Sequence, residues 1–390
     1  MDPKDFLDSP AGQVFRTPQG YWAFVPNPLS PDLAWTPSLI AALSDADRAL
    51  GELAGLGRSL PNPHLLVRPF LRREAVLSSR IEGTRASLSD LYAYEAVQLP
   101  LFEMASDVQE VQNYVIALEY GLMQLQTLPV SLRLIRELHA RLMEGVRGER
   151  LSAGEFRRDQ NFIGLPGSTI ETATYVPPPV SAMHPALNAL EEYLHAPSDI
   201  PPLIRLGLIH YQFEAIHPFA DGNGRIGRLL ISLLLCAWGL LPQPLLYLSA
   251  FFEAHRQDYY NHLLWVSQSG HWEEWLSFFL LGVKIQAQDA VQRIRRLQDL
   301  REAYRSRIQA ERAAARLLHV VDLLFEQPIL SILQVSAALN VHYPAAKRYV
   351  EQLEAEGILR EITGRARNRL YRADEIMQAI EGPLGEEPHG

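Results

Sequence analysis

The chain has 390 residues, more than one hydrophobic core usually serves, so two or three domains are expected. Apolar residues make up 47% and charged residues 21%, as in ordinary globular proteins, and the net charge of -9 excludes a globally basic nucleic-acid-binding surface, though not a local one. The single cysteine, Cys236, excludes a disulfide framework, disfavours a zinc cluster and fits a reducing, cytoplasmic environment.

The sequence shows no feature of a secreted or membrane-spanning protein. Residues 1–6 are polar and acidic, so a signal peptide is not expected. The most apolar segment, Leu229–Leu241, is shorter than the roughly 20 residues that a membrane span needs. We interpret it as part of a buried central helix and expect no membrane partner.

The first half of the chain is predicted to be mainly helical. The proline-rich residues before Pro37 are expected to be extended or looped, and a short helix is predicted over Pro37–Leu56. Apolar residues at helical spacing predict a second helix over His64–Glu82, which Gly83 ends. The same period predicts helices over Ser106–Leu125 and Ser131–Glu144.

The middle of the chain combines a small hairpin with more helices. Two short strands joined by a turn-rich loop are predicted at Asn161–Gly164 and Thr174–Val176. Two helices, Pro202–Ile216 and Arg225–Leu241, flank one polar loop. Further helices are predicted over His184–His195, Phe252–Ser267 and His271–Val283.

The last hundred or so residues change character. The segment Lys284–Arg316 is charged and rich in glutamine and alanine, which predicts a long exposed helix linking two domains. Three helices and a hairpin then follow, at Leu317–Phe325, Ile332–Ala338, Ala345–Glu356 and Arg360–Arg372. This is the order of a winged helix-turn-helix domain. The predicted fold class is therefore mostly α, with a small hairpin and a C-terminal winged helix.

The polar loop has the chemistry of an anion site. From residue 217 it reads His-Pro-Phe-Ala-Asp-Gly-Asn-Gly-Arg-Ile-Gly-Arg. Gly222 and Gly224 allow a turn that exposes backbone N–H groups at a helix N-terminus, and Asn223 adds an amide donor. Arg225 and Arg228 share one helix face and can both bind phosphate oxygens.

Two further residues of the loop suggest a reaction at that anion. Asp221 is a hard carboxylate suited to Mg²⁺, or alternatively Mn²⁺, bridging phosphates. His217 can act as a general base at neutral pH. A plain interhelical loop with a capping histidine is the alternative, but so many suitable residues in one loop favour a nucleotide site.

The loop resembles the signature of the Fic family: His-Pro-Phe, two residues, Gly-Asn-Gly-Arg, two residues, Arg. Every fixed position matches, and the resemblance extends to "GEFRRDQNFIG", "YVPPP" and "HYQFEAIHPF". It implies a helical Fic core over residues 121–285, after an N-terminal region at 1–120. A linker helix at 286–311 and a winged helix at 312–390 would complete the chain, and such a C-terminus also occurs in this family.

The resemblance implies a protein adenylyltransferase that moves AMP from ATP to Ser, Thr or Tyr hydroxyls of proteins, including itself. By this resemblance His217 takes the proton of the target hydroxyl, whose oxygen attacks the α-phosphorus, and Mg²⁺ on Asp221 holds the leaving pyrophosphate. Members that phosphorylate carry lysine at the position of Gly224, which supports AMP transfer here. Tyr259 and Tyr260 would lie near the adenine, although core aromatic residues are an equal alternative.

Two residues of the helix over about 64–83 resemble the inhibitory motif of this family, Ser or Thr, three residues, Glu, then Gly or Asn. Ser78 and Glu82 are one turn apart and can hydrogen-bond, and Gly83 frees the helix end. On the residues alone this is an ordinary helix end. The resemblance implies instead that Glu82 pairs with Arg228 at the position of the γ-phosphate.

The expected partners are ATP and a protein target. By the resemblance, the hairpin at 161–176 is a flap that aligns the target by strand addition; a purely structural hairpin is the alternative. The wing has five arginines and one acid, so DNA and protein partners both stay open, as does a homodimer. Two other functions remain: removal of AMP by the same site, or a DNA-binding regulator with a Fic core.

Overall fold

The structure is a computed structural model that describes residues 1–60, 64–97, 106–146, 152–308, 314–365 and 367–383, without the side chains of residues 64, 65 and 314. The prediction of a mostly helical chain with small sheets is confirmed. In these residues no helix has the length and apolar content needed to cross a membrane.

The N-terminal segment contains a hairpin that the sequence analysis did not predict. Strands β1 (Gly12–Arg16) and β2 (Trp22–Pro26) pair antiparallel, with Val14 opposite Phe24. Each strand has only five residues and lies among prolines. The alternation of apolar and polar residues is therefore too short to be recognised in the sequence. The N–H of Phe24 donates to the carbonyl of Val176 at 2.9 Å, which attaches the hairpin to the predicted flap.

The N-terminal helices match their predictions to within a few residues. They are α1 (Pro37–Ser59), α2 (His64–Ile81), α3 (Leu88–Val97), α4 (Ser106–Gln124) and α5 (Leu132–Leu142). Thr36 caps α1 by accepting from the N–H of Leu39 at 3.2 Å, and Pro37 occupies its first turn. Only α3 was not predicted.

The central helices are α6 (Val180–His195), α7 (Pro202–Ile216) and α8 (Asn223–Ala237). Nearly every residue of α7 and α8 is buried, as expected for central helices. The prediction that the second one reaches Leu241 is wrong. Trp238 leaves helical geometry and Gly239 adopts a φ of +68°, which ends the helix.

The two predicted flap strands are also wrong in extent. Between 161 and 176 only one bridge forms, from Ile163 to Tyr175, with both of its backbone hydrogen bonds. Three prolines follow Val176 and have no N–H to donate, so pairing cannot continue beyond it.

The predicted exposed linker is instead a packed part of one long helix. After α9 (Ser249–Ala254) and α10 (Arg256–Ser269), α11 runs unbroken from Trp272 to Ile308. Residues such as Ala287, Val291 and Ile294 are buried, and α11 lies along α1. The many charged side chains suggested an exposed helix, but apolar residues also recur at helical spacing and form one buried face. The predicted linker end, 309–311, lies outside the described residues.

The C-terminal region is a winged helix-turn-helix, as predicted. It consists of α12 (Ala314–Glu326), β3 (Ile329–Ser331), α13 (Ile332–Leu339), α14 (Tyr343–Ala355), β4 (Arg360–Glu361), β5 (Leu370–Arg372) and α15 (Asp374–Glu381). The strand order is β3–β5–β4, all antiparallel. Residues 312–313, 366 and 384–390 of the predicted domain lie outside the description. The region packs on α2, α3 and α11, so it does not stand apart.

Candidate active site

The loop between α7 and α8 forms a tight reversal that exposes a helix N-terminus. His217 adopts a φ of +49° and Gly222 a φ of +78°, both left-handed. No side chain caps α8, and in the described residues the N–H groups of Asn223, Gly224 and Arg225 have no acceptor. Three free N–H groups at the positive end of a helix favour an anion.

The side chain of Asn223 holds the loop rather than facing outward. Its Oδ1 accepts from the N–H of Phe219 at 2.8 Å, and its Nδ2 donates to the carbonyl of Phe219 at 2.8 Å. Only 2% of Asn223 is exposed. Its side-chain amide was expected at the phosphates, but both of its functional groups are already bonded. Only its backbone N–H is available to an anion.

Three residues that the sequence analysis did not assign also hold the loop. Arg157 donates from Nε to the carbonyl of His217 at 3.0 Å, and Asn161 donates to the carbonyls of His217 and Phe219 at 3.3 and 2.9 Å. His139 contacts the loop from α5. Arg157 and Asn161 lie in "GEFRRDQNFIG", a stretch that resembles the Fic family and so pointed to a functional role. No feature of the sequence pointed to His139.

His217 has the protonation state of a base. Its Nδ1 lies 3.3 Å from the carbonyl of Glu214, so Nδ1 carries the hydrogen and Nε2 keeps a free lone pair. Burial lowers the pKa of His217 to about 4, outweighing the opposite effect of its hydrogen bond to Glu214. The imidazole is therefore neutral at pH 7 and able to accept a proton.

Glu214 is a further ionisable group that the sequence analysis did not assign. Its Oε1 is buried and has no hydrogen-bond partner among the described residues. A Cβ at Gly227 would lie 2.2 Å from this oxygen, so the carboxyl group needs a glycine opposite it. Burial raises the pKa of Glu214 to about 8, which leaves the group largely protonated at neutral pH.

Asp221 and Arg225 lie together beside the helix N-terminus. The Asp221 Oδ1 accepts from the N–H of Gly222 at 2.6 Å and lies 3.8 Å from Arg225 Nη2, while about half of the side chain is exposed. Arg225 is buried and pairs with Glu110 at 3.2 Å. No group of three or more metal-ligating side chains occurs in the described ranges, so the protein supplies one carboxylate here.

Arg228 is bound by the end of α2. Its Nη2 donates to Glu82 Oε1 at 2.7 Å and to the carbonyl of Ser78 at 2.9 Å, and its Nε donates to Ser78 Oγ at 2.9 Å. The expected direct bond from Ser78 to Glu82 is not formed; both accept from Arg228. Burial favours the neutral form of Glu82, but the Arg228 guanidinium outweighs it and lowers the pKa of the carboxyl.

The Glu82 carboxylate occupies the space above Gly224. A Cβ at Gly224 would lie 2.4 Å from Glu82 Oε1 and 2.8 Å from Arg228 Nη1. Nη1 is buried and has no hydrogen-bond partner among the described residues. Gly83, with a φ of +102°, turns the chain away directly after Glu82. A carboxylate is thus held against the anion-binding end of α8.

The two tyrosines differ in position. Tyr259 is 1% exposed, stacks on Phe252 and has its hydroxyl 2.8 Å from His210 Nε2, so it is a core residue. Tyr260 is 39% exposed and has the Arg256 guanidinium 5.8 Å from its ring. The predicted contact with adenine therefore rests on Tyr260.

Comparison with known protein families agrees with this site. Residues 40–123 match the N-terminal region of the Fic/DOC family, and residues 129–235 match the Fic/DOC family itself. This chain contains a Fic domain. Residues 317–373 match an HTH DNA binding domain, which covers most of the winged helix.

Similar proteins carry the same domain. "Protein adenylyltransferase Fic" of Drosophila virilis is 31% identical over 147 residues, covering 37% of this chain and 27% of that protein. The protein of the same name from Aedes aegypti is 32% identical over 136 residues, covering 34% of this chain and 24% of that protein. The chain thus matches about a quarter of the length of each relative.

Two solved structures share the fold. A Fic family protein from Desulfovibrio desulfuricans superimposes with a TM-score of 0.57 at 20% identity, over 88% of this chain and 98% of its own. Fic-1 from C. elegans gives a TM-score of 0.52 at 20% identity, over 66% and 74%. At this identity the likeness concerns the Fic fold alone.

Proposed function

We propose that the chain is a protein adenylyltransferase, which transfers AMP from ATP to a hydroxyl group of a protein. The observation that carries the proposal is the free Nε2 of a neutral His217 on the same loop as an uncapped helix N-terminus. The two buried arginines, Arg225 and Arg228, add positive charge to that anion site. The names of the relatives agree with this reaction.

The chain's own groups account for the transfer. Nε2 of His217 accepts the proton of the target hydroxyl, and the oxygen then attacks the α-phosphorus of ATP. The bond from the α-phosphorus to the bridging oxygen breaks, and pyrophosphate leaves with that oxygen. The free N–H groups of Gly224 and Arg225 and the guanidinium of Arg228 stabilise the negative charge on the phosphates.

Asp221 has the properties needed for a shared Mg²⁺ site. Its side chain is half exposed at the anion site, and Oδ2 has no partner among the described residues. Mg²⁺ commonly takes one or two carboxylates and fills its other positions with phosphate oxygens and water. When bound, Mg²⁺ or Mn²⁺ would neutralise charge on the leaving pyrophosphate.

We expect Asp221→Asn to raise the Mg²⁺ concentration for half-maximal transfer about tenfold, because a neutral amide binds a hard cation more weakly than a carboxylate. Chelation of divalent cations should stop transfer by the unaltered chain. The measurement is the initial rate of labelled AMP incorporation across a Mg²⁺ titration. Full activity in excess chelator would contradict the role of Asp221.

The flap offers an open edge to a protein target. Backbone groups of Ile163 bond to Tyr175, while those of Phe162 and Gly164 have no partner in the part of the chain that the structure describes. The side chains of Phe162 and Leu165 are 40% and 78% exposed. An extended target segment could pair with these groups by strand addition. Asn161, at the start of this edge, bonds to the His217 carbonyl. A target segment paired along the edge would therefore lie beside the loop that carries the base.

The ion pair between Glu82 and Arg228 is proposed to inhibit the enzyme. Arg228 cannot bind a carboxylate and the γ-phosphate in the same place, and the carboxylate repels a phosphate beside it. ATP would then bind with its α-phosphorus displaced from the target oxygen. Autoinhibition by α2 follows from this competition.

The winged helix is proposed to contact DNA, in keeping with the family that it matches. Lys347 and Arg348 are exposed on α14, and Arg365 and Arg367 are exposed on the wing. Lys347 pairs with Glu351 at 3.4 Å, which reduces the available charge. Binding to a DNA duplex should weaken steeply with salt. A homodimer stays a prediction.

Intact-mass measurement tests the proposed function. The chain is incubated with ATP and Mg²⁺, and the expected product is the chain with added AMP. A second incubation adds the unaltered chain, without ATP, to Glu82→Gly chain that has already modified itself with AMP. Loss of AMP there, with no gain in the first, would favour the reverse reaction instead. No change in either incubation, with ATP binding absent, would favour a regulator with an inactive Fic core.

A further inference from the structure

His139 connects α5 to the catalytic loop through two contacts and to Gly154 through a third. Its Nδ1 accepts from the N–H of Gly154 at 2.9 Å, so the hydrogen is on Nε2, which donates to the carbonyl of Asp221 at 3.0 Å. Its ring stacks on Phe219, with centroids 3.8 Å apart and planes 5° from parallel. Only 3% of the residue is exposed.

We propose that His139 is a positioning residue for the transfer, a role that rests on the proposed adenylyltransferase function. Its bond to the Asp221 carbonyl and its stacking on Phe219 hold both sides of the loop that begins with His217. Among the described residues, no hydrogen bond joins His139 to the backbone N–H groups of Gly224 and Arg225 or to the side chain of Arg228. Loss of His139 should therefore misplace the reacting groups more than it weakens ATP binding.

The test compares three substitutions in a Glu82→Gly parent. His139→Phe keeps a ring beside Phe219 but removes both hydrogen bonds, whereas His139→Gln retains a donor for the Asp221 carbonyl. Tyr211→Phe is the matched control, since it removes a buried hydrogen bond to Ser267, 2.9 Å long, away from the loop. Steady-state kinetics with ATP, calorimetric ATP binding and thermal unfolding are measured for each.

His139→Phe is expected to lower kcat at least about tenfold with less than a threefold change in the Kd of ATP. His139→Gln should recover part of kcat, and Tyr211→Phe should lower only Tm. A kcat of His139→Phe within twofold of the parent would overturn the proposal, as would a glutamine variant as slow as the phenylalanine one. An inactive Glu82→Gly parent would instead count against the proposed function.

A second observation concerns α2, which is held both by the catalytic core and from the side of the winged helix. On one face Ser78 and Glu82 bind Arg228, and the buried Glu74 accepts from the hydroxyls of Ser249 at 2.5 Å and Tyr114 at 3.1 Å. These residues follow each other at four-residue spacing and so form one stripe. The stripe attaches α2 to the catalytic core.

Other side chains of α2 connect it to the winged helix by way of α11. Arg73 donates to Asp289 of α11 at 3.2 Å, and Arg293 donates to the same carboxylate at 2.8 and 3.0 Å. Arg293 also donates to the carbonyls of Ala379 and Gly382 at the end of α15, at 3.1 and 3.0 Å. We name the connection through Arg73, Asp289 and Arg293 the ionic relay.

Two further contacts link α2 to the winged helix. Arg68 pairs with Glu326 at the end of α12, at 2.8 Å. Arg72 pairs with Glu95 of α3 at 2.9 Å, and the carbonyl of Glu95 accepts from Gln334 of α13 at 3.3 Å. The helix that carries Glu82 is therefore fixed from the winged-helix side at three points along its length.

We infer that the winged helix stabilises α2 in its inhibitory position, and this regulation rests on the proposed function. The contacts of α2 with the catalytic core and its contacts with the winged-helix side form in the same position of α2. Each set of contacts therefore stabilises the position that the other set needs. Breaking the ionic relay should shift α2 toward positions in which Glu82 leaves Arg228. Displacement of the winged helix from α2 would thus activate transfer.

The test uses the full chain with Asp289→Asn, which neutralises the centre of the ionic relay, and Arg68→Ala, which removes the separate pair to α12. Arg295→Ala is the matched control, because it breaks an ion pair of 2.8 Å from the same helix α11 to Glu52 on α1. Each variant is made with Glu82 and with Glu82→Gly. The readouts are the rate of self-modification and hydrogen exchange over residues 74–82.

Asp289→Asn and Arg68→Ala should raise the transfer rate about threefold or more and speed exchange over residues 74–82, with no further rise in the Glu82→Gly chain. Arg295→Ala should change neither readout. Unchanged exchange and rate in both variants would overturn the inference, and so would an equal rise without Glu82. If Asp289→Asn does not fold, the solvent-facing Arg68→Ala carries the test. Hydrogen exchange over residues 74–82 can be measured in an inactive chain. A lack of transfer activity would therefore count against the proposed function, while the exchange result would still decide this inference.

Discussion

Substitution of His217 by alanine is expected to reduce AMP transfer by about 10²- to 10⁴-fold, the usual contribution of a general base. In the structure Nδ1 is bonded to a backbone carbonyl and Nε2 is free, and the loop has no second histidine. Because the pKa of His217 is lowered to about 4, the imidazole is in its basic form throughout the neutral range.

ATP binding should survive this substitution. The phosphate-binding N–H groups belong to α8, and the loop backbone is held by Asn223, Arg157 and Asn161 rather than by the imidazole. The measurement is labelled AMP incorporation together with calorimetric ATP binding, made in a Glu82→Gly chain so that the parent is active. Transfer near the parent's rate would refute the role of His217. A loss of ATP binding would show that the loop itself had changed.

Substitution of Glu82 by glycine is expected to raise transfer about 100-fold, most visibly as self-modification. The carboxylate lies in the space above Gly224 and takes Nη2 of Arg228, so a γ-phosphate cannot take its place beside the helix end. A displacement of the reacting atoms by about 1 Å can cost about 10²-fold in rate. Removing the carboxylate should therefore raise the rate more than the affinity for ATP.

The control for this prediction is Ser78→Ala. Ser78 binds Arg228 through both its hydroxyl and its carbonyl, and alanine removes only the hydroxyl. The hold of α2 on Arg228 is then weakened but not lost, so a smaller rise is expected. Time courses of labelled AMP incorporation compare these chains with Glu82→Gly/His217→Ala. Equal rates for the unaltered and Glu82→Gly chains would mean that α2 does not inhibit this protein.

The chemistry of the loop could be predicted from the sequence because its residues are neighbours in the chain. One turn and the start of one helix determine where Gly222, Gly224 and Arg228 lie relative to each other. The pairing of Glu82 with Arg228 needed more than local geometry, since 146 positions separate them. It was expected only from the family resemblance.

Residues that reach the loop from elsewhere could not be predicted in the same way. His139 lies on a helix 82 positions before Asp221, and a buried histidine at helical spacing looks like any core residue. The prediction of an exposed linker was wrong for a related reason. Charged residues dominate the composition of that segment, whereas the burial of one face of α11 depends on where α1 lies. Tyr259 and Tyr260 are adjacent in sequence, yet only packing decides which one reaches solvent.

Gly224 has a consequence for how activity and inhibition can be separated in this protein. Any side chain at this position would collide with the Glu82 carboxylate and with Arg228. In the proposed mechanism the Glu82 carboxylate and the γ-phosphate compete for one volume, which is open because residue 224 lacks a Cβ. On this proposal a side chain at 224 would displace the Glu82 carboxylate and also take space needed by the γ-phosphate, so such a substitution is not expected to give an uninhibited adenylyltransferase. Changes that act on the inhibitor alone must act through α2, either within that helix or at the contacts that hold it in place.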